Sequence, residues 1–193
     1  KDAGVPVVIG TLVSNLKDQK PFISVGSDGN ENADSIYSRA RYQLKLGNIH
    51  SADSLFRLAK DLDALRFRAP EEINEIIKRL VEKFNCGFIN VDSIFNANSP
   101  DGIVGNNLTV DHLHPSLNGY LLMGKIYFEA MERNGFHPSD GRLQIPGVQQ
   151  DSVVVHNFAF SRLDSVISNI RLTGLLNDWP FVESPDFSFI KKL

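Results

Sequence analysis

The apolar positions run almost unbroken near the start of the chain. "VPVVIGTLV" (5–13) is rich in β-branched residues, a pattern that predicts a strand covered on both faces, as in a parallel sheet. Residues 14–30 turn polar and contain "GSDGN", which predicts a loop. From Ser35 the period becomes helical: Ile36, Ala40 and Leu44 share one face, Gly47 interrupts, and Ala52, Leu55, Phe56, Ala59 and Leu62 form a second stripe. The spacing predicts a helical hairpin over 34–63, closed at "LGN". "PEEINEIIKRLVEKF" (70–84) is the clearest helix, with Glu71 and Glu72 at its positive end and one stripe through Ile73, Ile76, Ile77, Leu80, Val81 and Phe84. "CGFINV" (86–91) predicts a second short buried strand, "DSIFNANSPDGIVGNN" a loop, and "PSLNGYLLMGKIYFEAMER" (115–133) a helix. The segment from Gly135 to about Gln150 is rich in Gly and Pro, and an amphipathic helix over roughly 160–176 follows.

Strand, helix, strand, helix is an α/β order, yet two strands make a very small sheet. The chain opens on a strand with neither an initiator Met nor a leader, which predicts a piece of a longer polypeptide and leaves location open, extracytoplasmic and membrane-associated settings included. A half-sheet exposes unpaired N–H and C=O groups, so it is expected to self-pair, aggregate or require its upstream half. Composition adds mainly exclusions. Twenty basic against 23 acidic residues, with no basic block, argue against a nucleic-acid partner. No apolar run is long enough for a transmembrane segment. One cysteine, Cys86, rules out an intrachain disulfide.

The chemistry concentrates in "VDHLHPSLNGY" (110–120). Pro115 suits the first turn of a helix, which puts His114 at the cap, on the loop side. Asp111, three residues earlier, can fold back to accept a hydrogen bond from Nδ1–H of His114. That bond fixes the tautomer and leaves Nε2 free to take a proton, as nucleophilic ester cleavage requires. Spacing alone leaves two other readings open. In one, His114 and Asp111 are cap and turn residues; in the other, Asp111, His112 and His114 are metal ligands, although no further His or Cys sits at ligand spacing. His112 reads as a flanking polar residue.

"DHLHPSLNGYLLMGKIYFEAM" resembles the last block of the SGNH (GDSL-like) hydrolases, Asp-x-x-His-Pro followed by a helix with an early Gly. "GVPVVIGTLVSNLKDQKPF", "AKDLDALRFRAPEEINEII" and "LLNDWPF" resemble further segments of one bacterial subgroup, so the likeness spans nearly the whole chain. The resemblance implies the C-terminal half of a flavodoxin-like domain over 1–134, with an inserted hairpin and a C-terminal extension, 135–193, packed on the same domain. It implies a serine esterase, lipase or acylhydrolase with Asp111 and His114 as acid and base, and no metal or organic cofactor. The family's Gly-Asp-Ser nucleophile block and its oxyanion block are absent. "GSDG" (26–29) has similar letters in the wrong order, and the "VSNL" that ends the first strand is neither block. The serine is therefore expected upstream of Lys1, and this chain alone is expected to be inactive.

Four further residues are candidates for contacting substrate. Asn15 ends the first strand, and Asp92 follows the second at the strand end that faces the crevice of open α/β sheets. Arg66 and Arg68 have forks suited to an anionic group, although an ion-pair network with Asp61 and Asp63 accounts for them as well. The resemblance implies a small ester substrate, an acylated sugar or a lipid. "GNIHSADSLFRLAKDLD" has the offsets of a tetratricopeptide-repeat helix, but arrays need about three such units. The alternative function is a non-catalytic module that binds a protein partner through this hairpin. That alternative wins if the hairpin exposes an apolar face and Asp111 lies beyond reach of His114.

Overall fold

A computed structural model describes residues 5–26, 31–136, 147–158 and 161–184. The chain divides into two compact units, Lys1–Ser139 and Asp140–Leu193. The architecture is mixed α/β and mostly helical, with seven α-helices and a two-stranded parallel sheet among the described residues.

In the first unit, strand β1 (Val8–Gly10) pairs in parallel with β2 (Gly87–Ile89), Ile9 lying opposite Phe88. Parallel strands need a long crossover, and it is made by α1 (Ala33–Lys45), α2 (Ile49–Asp61) and α3 (Glu71–Phe84). The ladder is three residues long where the apolar runs predict nine and six, because among the described residues each strand has a neighbour on one side only. Val7 C=O and Thr11 N–H bond to the second strand, so Val8, Gly10 and Leu12 turn their backbone groups to the other edge. There Asn74 of α3 stands in for a strand. Its side-chain amide accepts from Leu12 N–H at 2.7 Å and donates to Leu12 C=O at 3.0 Å.

The predicted hairpin is α1 and α2, and small residues let the two helices approach. Ala40, Ala52 and Phe56 are buried with Leu16 and Ile103, and Tyr37, Leu44, Ile49 and Leu55 pack around them. Asn32 caps α1 through a reciprocal bond with Ser35. Gly47 takes φ +77° at the turn, a left-handed conformation open to glycine at little cost. Pro70 stands at the N-cap of α3 without a side-chain acceptor, and Asn85 ends the helix in the left-handed region.

Two expectations fail here. The loop predicted after the second strand contains α4 (Val91–Ala97), capped by Asn90, and a 3-10 turn at Pro100–Gly102. Seven residues give too few apolar repeats to show a period, although Val91 and Phe95, four apart, are both buried. The last helix of the unit, α5 (Leu117–Arg133), is capped by Ser116, so His114 lies two residues before the cap. Pro115 sits in an antiparallel bridge with Thr109 instead of the first turn. The main core joins Ile89, Val91, Phe95, Val104, Leu108, Ile126 and Ala130, where α5 covers one sheet face.

The second unit contains α6 (Gly147–Asn157), within which the Gly- and Pro-rich stretch ends, and α7 (Arg162–Leu176). Ser161 and Asp164 form a reciprocal cap on α7. Position 160, where the predicted helix starts, lies outside the described residues. No helix among the described residues is long and apolar enough to cross a membrane.

Candidate active site

The segment from Leu108 to Ser116 is a pinched loop. Val110 N–H bonds to His114 C=O at 2.9 Å, and Ser116 N–H to Leu108 C=O at 2.8 Å. Inside the pinch, Asp111 Oδ1 accepts from the N–H groups of Leu113 and His114 at 2.9 and 2.8 Å. Its other oxygen, Oδ2, lies 2.7 Å from His114 Nδ1. The Asp111 side chain is 2% exposed and that of His114 is 58% exposed, so a buried carboxylate holds a ring that is open to solvent.

Burial alone would push the Asp111 carboxyl up. The two backbone N–H groups and the His114 ring outweigh it and hold the group below the usual carboxylate range. An ionised Asp111 requires Nδ1 of His114 to carry the hydrogen, which leaves the Nε2 lone pair outward. No hydrogen bond among the described residues engages Nε2.

The loop is pinned to the segment after β1. Asn15 N–H donates to His112 C=O at 3.0 Å. Its side chain donates to Asp111 C=O at 3.1 Å and to Asn106 at 2.8 Å. Asn15 is thus a buried brace for the dyad loop. Arg68 is equally interior: it donates to Asn15 C=O at 3.0 Å and Gln19 C=O at 2.9 Å, and pairs with Asp63 at 3.3 Å. Asp92 pairs with Arg57 at 3.0 Å, beside Glu71 and Lys60 in a charged cluster that ties α2 to α3 and α4. Burial pushes the Asp92 carboxyl up, and Arg57 opposes that. Arg66 is exposed and makes no ion pair among the described residues. Of the four candidate substrate contacts, only Asn15 and Arg68 are brought to the dyad, and both act on its backbone support.

Two residues of this site have roles that their sequence neighbours do not show. His112 packs edge-on against Phe22 at 5.4 Å between centroids, lies against Phe67 at 5.7 Å, and places Nδ1 3.6 Å from Asp111 Oδ1. Burial lowers its pKa, with Asp111 opposing. The unfolded chain therefore binds a proton on His112 before the folded chain does. Stability is expected to fall as pH drops below about 6.5, and His112→Gln to flatten that fall in urea midpoints taken from pH 7.5 to 5. Equal slopes in both proteins would refute it.

The second is Gly119, in the first turn of α5. A Cβ there would stand 2.2 Å from Leu108 C=O and 2.9 Å from a Pro115 carbon, so the helix can approach the loop this closely only without a side chain. Gly119→Ala is expected to cost about 1–3 kcal/mol of stability by overpacking. A loss confined to helix propensity would instead make alanine stabilising, which thermal melts would show.

Among the described residues, no cluster of three or more His, Cys, Asp or Glu side chains is arranged to hold a metal ion. The "GSDG" block falls largely outside the described residues. No protein-family model, curated protein or solved structure matches this chain.

Proposed function

We propose that the first unit carries the acid–base half of an ester hydrolase active site of the SGNH type. The observation that carries this reading is the 2.7 Å contact between Asp111 Oδ2 and His114 Nδ1 beneath an unengaged Nε2. In the proposed reaction a serine hydroxyl gives its proton to His114 Nε2 as its oxygen attacks an acyl carbonyl. Asp111 stabilises the resulting imidazolium, and His114 returns the proton to the departing alcohol. The serine belongs to a segment preceding Lys1. Support for such a segment comes from the free edge of β1, where the backbone groups of Val8 and Gly10 have no strand beside them among the described residues. A flavodoxin-like order is the finer fold this implies, with β1 and β2 as its last two strands.

Of the two conditions that together favour the hairpin-module alternative, exposed apolar residues are present at Tyr42, Leu46 and Leu58, whereas Asp111 is within reach of His114. The test is hydrolysis of p-nitrophenyl acetate and of a longer acyl ester by this chain and by an N-terminally extended polypeptide. Activity in the extended form alone is expected. Equal activity in the two forms would place the nucleophile elsewhere, and activity in neither would remove the hydrolase reading.

A further inference from the structure

A cavity of about 460 Å³ lies where the C-terminal end of β1, the dyad loop and α5 meet. Leu113 and Pro115, the sequence neighbours of His114, form one side of it. Val13, Phe95, Met123 and Tyr127 give it an apolar wall, and none of its lining residues is charged. Of its three serine and threonine hydroxyls, two are committed. Thr11 donates to Asn90 and accepts from Asp92 N–H, and Thr109 donates to Gly105 C=O.

Ser14, which also lines the cavity, is different. The residue is 5% exposed, and no hydrogen bond among the described residues involves its hydroxyl. The hydroxyl opens on the cavity, where a ligand oxygen can take the place of water as its partner. The volume is in the range of small-molecule sites, roughly 300–1,000 Å³. An uncharged apolar lining disfavours phosphates and polyhydroxylated groups, whose many polar atoms would go unpaired. It suits an apolar chain that carries one oxygen function.

We propose that this cavity receives a medium-length acyl chain, with Ser14 Oγ–H donating to the acyl carbonyl oxygen. This assignment rests on the ester hydrolase reading and deepens it, because it places lipid-like acyl esters ahead of acetylated sugars. Ser14 acts here on substrate binding and orientation.

The chain supplies its own reporters. It has two methionines, Met123 in the cavity wall and Met131, which does not line it. Methyl-labelled methionine would be followed by NMR in titrations with acetamide, butanamide, hexanamide and octanamide, neutral carbonyl probes. The Met123 signal is expected to shift and the Met131 signal to stay. Affinity should rise by about fourfold per methylene. Ser14→Ala should weaken octanamide about fivefold while both methyl signals remain in place. Ala69→Leu, which fills the cavity from its other wall, should weaken it further.

Equal affinity for acetamide and octanamide, or equal shifts at both methionines, would overturn the proposal. An unchanged octanamide affinity in Ser14→Ala would overturn the carbonyl contact and assign that hydroxyl to water. Binding does not depend on the dyad, so His114→Asn should titrate as the unmodified chain does. Probe binding without ester hydrolysis in the extended polypeptide would defeat the hydrolase reading alone. Hydrolysis of an acetyl ester without probe binding would defeat the acyl cavity alone.

Discussion

Asp111→Asn in the N-terminally extended polypeptide is expected to lower kcat for ester hydrolysis by about 10⁴, with little change in stability. Asparagine retains an oxygen for the N–H groups of Leu113 and His114, so the pinched loop keeps its shape. Toward the ring, however, it presents an NH₂ group where the carboxylate accepted a hydrogen bond. His114 then takes the other tautomer, with hydrogen on Nε2, and cannot accept the serine proton. His114→Ala is expected to lose activity to a similar extent. The two residues act as a unit, so the double variant should be scarcely worse than either single one. Losses that multiply in the double variant, or an Asp111→Asn enzyme within tenfold of the original, would show that Asp111 does not set the tautomer.

Arg68→Met is expected to cost about 3–5 kcal/mol of stability, the largest effect of any single change outside the apolar cores. Both partners of the Arg68–Asp63 pair are interior, with side chains 3% and 2% exposed. Asp63 also accepts from the N–H groups of Phe22, Ile23 and Leu65, so its charge is fixed in place by the backbone and cannot turn to water. Removing Arg68 leaves that carboxylate buried and partly uncompensated. It also frees the carbonyl of Asn15, the residue that holds Asp111 from behind. The double variant Asp63→Asn, Arg68→Met should recover part of the loss, because no unpaired charge remains. Urea denaturation of the four proteins forms the cycle that measures it, and a loss below about 1 kcal/mol for Arg68→Met would place the pair among exposed, weak ion pairs.

Periodicity made the hairpin, α3 and α5 legible, because each repeats its apolar face over three or more turns. It could not show α4, which is two turns long, nor the length of β1, which depends on whether a strand lies on each side. Asp111 and His114 were legible as a pair because the loop that joins them is local: three residues separate them. Their supports were not. Asn15 meets the Asp111 carbonyl across 96 positions of sequence, and Arg68 meets Asn15 across 53. No local pattern encodes such a meeting: Asn15 therefore reads as a substrate contact, and for Arg68 only the pairing with nearby Asp63, one of its two readings, is legible. The same holds for His112, whose aromatic neighbours are Phe22, from before the crossover, and Phe67, from within it.

That brace spanning 96 residues also orders events in time. The hairpin closes through contacts between helices that adjoin in sequence, and such contacts form early because little chain entropy is lost in making them. The dyad loop reaches its place only after the whole crossover has docked, since Asn15 and Asp111 stand at opposite ends of it. Protection of the α1 and α2 amides from hydrogen exchange can thus be complete in molecules whose histidine is not yet held. A helical signal is a poor proxy for competence in this protein, and the His114 ring resonance is the observable that reports it.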